Sequence, residues 1–363
     1  MRRKMALCTL VVLSIGTGLS AGERLISLSS GQKVFASGMN LAWIHFGRDL
    51  TDFNAMGFTR ALDEVSAAGG NTLRWWLHVN GSTSPRFDDG KVSGLNRSEI
   101  PSLKKALDLA QARGVVLVLS LWSFDMLQEN AGVDLTRNQR LIENPEYTQA
   151  YIDKALIPLV RAVKDHPAIL CWEICNEPEG MTTKWGWTSR RTTIEHIQRF
   201  HNVLAAAIHR EAPKALVTTG CWNVLVMCDK GDFKNYYSDQ ELVRAGGDPL
   251  GTLDFYQVHY YPRWYGEDHS PFHHPADYWG LDKPILIGEF QAKGFVNLTE
   301  RDRLKTPMTT RELYLYAMEN GYAGALGWTW TGHDGLGNVK DAEPGMSALK
   351  EKYPDKTVIS KKL

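Results

Sequence analysis

Eight short apolar or β-branched runs recur along the chain, separated by longer amphipathic stretches, and no other feature narrows the fold as far. The runs are VFASGMNLAW (34–43), NTLRWWLHV (71–79), VVLVLSLW (115–122), AILCWEICNEP (168–178), LVTTGCW (216–222), DFYQVHYYP (254–262), PILIGEF (284–290) and GALGWTW (324–330). Most are apolar nearly throughout, as strands are when helices cover both faces of a parallel sheet. Between them lie helical patterns such as 58–69, 98–114 and 192–211, the first two ending on Gly69 and Gly114, the residue type that most readily turns a helix end left-handed.

The 363 residues allow two domains of about 150 residues each, or one α/β barrel, a fold that typically needs about 250. No Pro/Gly/Ser-rich linker or low-complexity segment divides the chain, which favours a single-domain (β/α)8 TIM barrel. The alternative is a doubly wound open sheet. It normally carries a glycine-rich phosphate-binding turn after its first strand, and none follows 34–43.

The barrel is assigned to 22–363, because residues 1–21 read as a secretory signal peptide: Arg2, Arg3 and Lys4 precede an apolar run from Met5 to Leu19, and small residues follow. A membrane anchor is the alternative, but the apolar run is shorter than the roughly 20 residues a spanning helix needs. Removing the segment leaves 38 Lys+Arg against 41 Asp+Glu, a formal charge of −3 in place of zero. A near-neutral, secreted protein without a basic patch points away from nucleic acid, membranes and polyanionic substrates.

Beyond Cys8 in the signal region, the cysteines are Cys171, Cys175, Cys221 and Cys228. Secretion permits disulfides. A Cys221–Cys228 bridge across a short local segment is expected, with Cys171 and Cys175, four apart along a strand, left as buried thiols. Four cysteines pair in three ways, so spacing alone leaves the connectivity open. Asn80, Asn96 and Asn297 head sequons that would accept glycan in a eukaryotic secretory pathway.

In a barrel, chemistry belongs at the C-terminal ends of the strands. The fourth run ends in Asn176-Glu177-Pro178 and the seventh in Gly288-Glu289-Phe290, so two carboxylates stand at the catalytic face after otherwise apolar runs. One such glutamate could be a structural ion pair. Two at equivalent strand ends match glycosidic bond hydrolysis, with one general acid/base and one nucleophile. Arg74, Trp122, His259, Tyr261 and Trp328 occupy the other strand ends, with Trp330 replacing Trp328 if the last strand is phased differently. A tyrosine hydroxyl and an arginine beside Glu289 would lower its pKa. Glu177, as the acid, needs a raised one, which an apolar wall supplies. Asn176 is placed to hydrogen-bond a sugar 2-hydroxyl, and exposed tryptophans to grip sugar rings.

The run from Trp172 to Gly180, HYYP (259–262), IGEF (287–290) and the Trp328 region resemble, in order and over the whole mature chain, glycoside hydrolase family 5. That resemblance implies that Glu177 is the acid/base, Glu289 the nucleophile, and Arg74, Asn176, His259, Tyr261 and Trp328 the shell of the sugar subsite, with retention of anomeric configuration. Within the family the chain is most similar to the endo-β-1,4-mannanases of molluscs and arthropods, through GMNLAW (38–43), SAAGGNTLRWWLHVNG (66–81) and GWTWTG (327–332). The expected substrate is neutral β-mannan polysaccharide, cleaved without metal or cofactor, and the protein is expected to be a monomer. Cys171 and Cys175 fall where small or apolar residues are expected, and the continuation Pro178-Glu179-Gly180 differs from that of plant and fungal mannanases, which leaves substrate choice open. The alternatives are a β-1,4-glucanase, an exo-β-mannosidase and a non-catalytic carbohydrate-binding barrel. The glycines of 332–337 and the histidine-rich 269–274 match neither a dinucleotide fingerprint nor a metal-ligand spacing, and read as loops over the cleft.

Overall fold

All eight runs become strands in the computed structural model, which describes residues 24–360. The strands are β1 (Ala36–Ala42), β2 (Thr72–Val79), β3 (Val116–Ser123), β4 (Ile169–Asn176), β5 (Val217–Cys221), β6 (Tyr256–His259), β7 (Ile285–Gln291) and β8 (Gly324–Trp328). They pair in parallel and in chain order, and β8 closes back on β1, so this is a single-domain (β/α)8 barrel. The signal-peptide reading of residues 1–21, including Cys8, lies outside the described residues.

Helices return the chain from the top of one strand to the bottom of the next. They are α1 (Ala55–Ala67), α2 (Glu99–Gln111), α3 (Leu135–Glu143), α4 (Pro145–Tyr151), α5 (Ile157–Val163), α6 (Ile194–Glu211), α7 (Asp239–Gly246), α8 (Thr310–Glu319) and α9 (Val339–Lys352). Side chains satisfy the free backbone N–H groups at several starts: Asn54 caps α1, Thr193 caps α6, and Thr309 with Glu312 forms a capping box on α8. Gly69 and Gly114 take φ of +90° and +67° just past α1 and α2. The β6–β7 crossover has no α-helix among the described residues, only 3-10 turns at Glu267–His269 and Ala276–Trp279. Pro262, Pro271 and Pro275 deny that segment a helical run, and the histidine-rich stretch falls on it. No described helix is long and apolar enough to cross a membrane.

Two apolar layers pack the barrel. Outward side chains such as Leu73, Leu119, Trp172 and Ile287 join α1, α2 and α6 in the main core, while Ala36, Val118, Cys171, Leu286 and Leu326 plug the lower interior. The upper interior is polar, and there the site is built.

The expected Cys221–Cys228 bridge is not formed: all four described cysteines are free and buried. Past Cys221 the chain winds into a 3-10 turn at Val224–Val226 capped by Asn223. The Cys228 thiol then donates to the Val224 carbonyl at 3.4 Å, whereas Cys221 lies against Glu179. The sequons also differ in access. Asn80 is buried and half-buried Asn96 donates its amide to Thr83 O, while Asn297 is exposed.

Candidate active site

Arg74 organises the top of the barrel from within. Its side chain rises from β2 with no exposed surface, and all five N–H donors of its guanidinium are used. Nε and Nη2 grip Glu173 of β4 at 2.7 and 2.6 Å, Nη2 also reaches Asn176 Oδ1 at 2.7 Å, and Nη1 donates to Asn40 Oδ1 at 2.8 Å and Glu289 Oε1 at 2.6 Å. Glu173 accepts two further bonds, from Ser120 Oγ and Gln257 Nε2, both 2.8 Å. Burial works to raise the Glu173 pKa, but the Arg74 charge and these donors hold it below the ordinary value. Glycine makes the room: a Cβ on Gly220 would meet Gln257 and Arg74 at 2.7 and 2.9 Å, and one on Gly288 would meet Gln257 at 2.6 Å.

Strand register brings the remaining groups together. A bulge at Val258/His259 sets His259 beside Glu289, and Asn176 pairs with Ser123 and Gly220. Glu289 Oε2 accepts from the Tyr261 hydroxyl at 2.8 Å, opposite the oxygen held by Arg74. The sequence reading placed its pKa below normal. Instead burial, with help from Glu177, raises it, and His259, Arg74 and Tyr261 offset only part of that cost.

Glu177 follows directly on β4 in the left-handed region, with φ 44° and ψ 53°, and its amide donates to Gly220 O at 2.6 Å. Its Oε1 lies 2.8 Å from His259 Nδ1. Burial, reinforced by the charges of Asp125 and Glu173 and opposed by Arg74, raises its pKa to about 7. His259 is pushed down to about 4 by burial and is therefore neutral at neutral pH. One oxygen each of Glu177 and Glu289 and a ring nitrogen of His259 lie within 4.8 Å of one another. Three such groups can in principle ligate a cation. Here the two Glu289 oxygens are already held by Arg74 and Tyr261, and a metal would face the guanidinium charge.

Two aromatic groups flank the pair. Trp43, Trp76 and Trp328 cluster with ring centroids 5.1 to 6.0 Å apart, and Tyr261 packs on them. Beyond Glu177, Trp187 lies 5.7 Å from Trp222, which lies 5.5 Å from Tyr265. A Cβ on Gly180 would meet the Trp187 ring at 2.6 Å, so only glycine lets that ring lie against the turn after Glu177.

Of the residues singled out by sequence, Glu177, Glu289, Arg74, Asn176, His259, Tyr261 and Trp328 converge here. Trp122 does not. Alternation breaks at the end of β3, so Leu121 and Trp122 both face the helices, and the Trp122 ring packs against His78 and Tyr151 at 4.9 and 5.2 Å. Trp330 also turns away, its indole N–H donating to Glu64 of α1 at 2.7 Å. Sequence reasoning missed Glu173, Asn40, Ser120 and Gln257, which build the floor of the site. A charged residue in the middle of an apolar strand was the available signal for Glu173, since only an internal partner such as Arg74 makes it tolerable.

The family model described as "Cellulase (glycosyl hydrolase family 5)" matches residues 29–352. A mannan endo-1,4-beta-mannosidase of Mytilus edulis is 33% identical over 358 residues, covering 91% of this chain and 93% of that protein. One of Cryptopygus antarcticus is 35% identical over 356 residues, covering 88% and 87%. The crystal structure of the Mytilus edulis beta-mannanase superposes with a TM-score of 0.81 at 31% identity, covering 93% of this chain and 99% of that one.

Proposed function

The chain belongs to glycosyl hydrolase family 5, and we propose that within it this glycoside hydrolase is a secreted, retaining endo-β-1,4-mannanase. The observation that carries the mechanism is the approach of the Glu177 and Glu289 carboxylates to within 4.8 Å. Retaining enzymes hold their carboxyl groups about 5 to 5.5 Å apart, whereas inverting enzymes leave roughly 6.5 to 9.5 Å for a water.

Glu289 is the nucleophile. Arg74 and Tyr261 occupy one lone pair on each of its oxygens, which orients the carboxylate and favours its charged form. Its attack on the anomeric carbon breaks the glycosidic bond while Glu177, protonated up to about pH 7, gives its proton to the departing oxygen. In the second step the Glu177 carboxylate takes a proton from water, which attacks the same carbon and releases Glu289. Asn176 has its Oδ1 engaged by Arg74 and one amide hydrogen reaching Ser123 Oγ at 3.4 Å, which leaves its second N–H for the sugar 2-hydroxyl. His259, neutral and buried, fixes the Glu177 carboxyl.

Aromatic groups on both sides of the pair support cleavage within a polymer, since each offers apolar area for sugar rings on its side of the scissile bond. The mannan assignment rests on the relatives, whose printed names are mannan endo-1,4-beta-mannosidase. Secretion rests on the basic, apolar and small-residue order of 1–22.

Reducing-end release on galactomannan, glucomannan and carboxymethylcellulose, with Glu289→Ala as control, tests the proposal. Mannan cleavage lost in the variant is the expected result. Cleavage mainly of the cellulose derivative would move the substrate to β-glucan, and activity surviving in Glu289→Ala would remove the nucleophile assignment.

A further inference from the structure

The segment after Glu177 carries a second buried glutamate that the hydrolytic cycle does not use. Glu179 sits in the 3-10 turn Pro178–Met181 with no exposed surface. Its Oε1 accepts from the Tyr237 hydroxyl at 2.5 Å and its Oε2 from the Trp222 backbone N–H at 3.3 Å, and the Cys221 thiol faces it. Its backbone carbonyl is held as well, by Thr182 through its N–H at 2.9 Å and its hydroxyl at 2.8 Å. Three separate segments therefore meet on one side chain: the turn that follows the acid/base, the end of β5, and the approach to α7.

The conformation of Glu177 shows what this junction is for. A non-glycine residue at φ 44° costs on the order of 1–2 kcal/mol and persists only where its surroundings fix it from both sides. On the N-terminal side the Glu177 amide is tied to Gly220 O at 2.6 Å. On the C-terminal side Gly180 N donates to Glu177 O at 3.0 Å, and the turn that holds Gly180 is anchored to the body of the barrel by the Glu179 side chain. The same anchor holds the Trp222 backbone, and Gly180 seats Trp187, so one carboxyl locates both the proton donor and the aromatic wall beyond it.

We propose that Glu179 is a positioning residue for general acid/base catalysis: its bonds to Tyr237 and Trp222 hold the left-handed Glu177 turn in register with Glu289. This rests on the role given to Glu177 above. The surroundings suit a hydrogen-bonding bracket rather than an ion pair. Tyr237, Cys221 and the Trp222 amide face the carboxyl, and burial raises its pKa to about 7. Shape and hydrogen-bonding capacity, more than charge, are then what the site requires.

The test separates misplacement of the acid/base from general damage. Glu179→Leu removes both hydrogen bonds at similar volume, Tyr237→Phe removes only one, and Glu179→Gln keeps the shape and the capacity to bond. Each is assayed on galactomannan, whose leaving group needs a proton, and on 2,4-dinitrophenyl β-mannobioside, whose leaving group does not, with and without azide. Glu179→Leu is expected to lower kcat on galactomannan roughly tenfold to a hundredfold, part of the 10²–10⁴ that general acid/base catalysis supplies. Its kcat/KM on the activated substrate should stay within about twofold of the parent, because that constant reports glycosylation and the leaving group departs unaided. Azide, which needs no general base, should raise turnover of that substrate. Tyr237→Phe is expected to show the same pattern more weakly, and Glu179→Gln to restore most of the polymer rate. Equal losses on both substrates without an azide effect, or no loss on the polymer, would overturn the proposal. Glu177→Ala run in parallel identifies the source of a failure: if it retains polymer cleavage, the Glu177 assignment falls and takes this proposal with it. If Glu177→Ala shows the pattern and the Glu179 and Tyr237 variants do not, only the positioning role is lost.

Discussion

Arg74 Nη1 lies 2.6 Å from Glu289 Oε1 while the opposite edge of the same guanidinium is locked onto Glu173. Glu289 is therefore aimed by a cation that cannot swing away, because every donor it has is already in use. Arg74→Lys keeps the charge but has no fork to hold Glu173 and Glu289 together. We expect kcat to fall by the equivalent of about 3 kcal/mol, a size measured when a preorganised donor is removed from other active sites. Steady-state kinetics on galactomannan check this, and a kcat within threefold of the parent would show that a positive charge at this place is enough and that the fork is not needed to aim Glu289.

Glu173 is wholly buried beneath Arg74, so its loss should appear as instability. Removing one partner of a buried pair leaves an uncompensated charge, and Glu173→Ala is expected to cost about 3–5 kcal/mol in urea unfolding. A loss below about 1 kcal/mol would mean that water or a rearranged Asn176 compensates Arg74.

The rate should pass through a maximum with pH. In the proposed role Glu177 acts protonated, and its pKa is raised to about 7, so kcat/KM is expected to fall as pH rises through that value. As the proposed nucleophile Glu289 acts ionised, and its pKa is raised from 4.5, so the acid limb is expected above the ordinary carboxylate value. Glu177→Gln, assayed on an activated aryl mannobioside, should lose the alkaline limb. Its persistence would assign that limb to another group.

Buried histidines set the acid limit of stability. Burial pushes His78 down to about 3, and His201 and His259 to about 4, against an unfolded value of 6.5. Between these values the unfolded chain binds more protons than the folded one, so these groups destabilise the fold as pH drops below 6.5. Glu177 and Glu179, both raised to about 7, act in the opposite sense down to 4.5, where the unfolded chain also takes up their protons. The net fall in melting temperature is therefore expected mainly below about pH 4.5. NMR titration provides the direct reading: all three imidazoles should be neutral at pH 5, and a protonated one there would contradict its burial.

Gly180 and Trp187 should behave as one unit. Gly180→Ala places a methyl 2.6 Å from the Trp187 ring and should imitate Trp187→Ala, with KM on the polymer raised several-fold in both. A Gly180→Ala enzyme with an unchanged KM would show that this ring does not contact substrate.

Cys171, Cys175, Cys221 and Cys228 should all react with a thiol reagent after denaturation without reductant, and dithiothreitol should leave the melting temperature unchanged. Detection of only two thiols would restore the Cys221–Cys228 bridge.

The barrel and its two glutamates were legible in the chain alone. Eight buried parallel strands need eight apolar runs, and a carboxylate closing such a run is costly unless it has a task. Local pattern also located the helix ends at Gly69 and Gly114. What the chain alone could not settle were quantities that depend on neighbours distant in sequence. Trp122 closes the third run, which by position alone puts it at the cleft, but an irregularity at the end of β3 turns it outward among the helices. Cys221 and Cys228 are close in sequence, but a 3-10 turn gives each thiol a different partner. The direction of the Glu289 shift was misjudged because its donors, Arg74 and Tyr261, are visible in sequence and the depth of its burial is not. Glu173, Gln257 and Asn40 come from three strands and act as one network only when the barrel closes and Gly220 and Gly288 leave them room. Hydrophobic periodicity is written residue by residue along the chain. Desolvation and hydrogen-bond partnership depend on every strand that contributes to the same cavity, and they exist only once the strands have met.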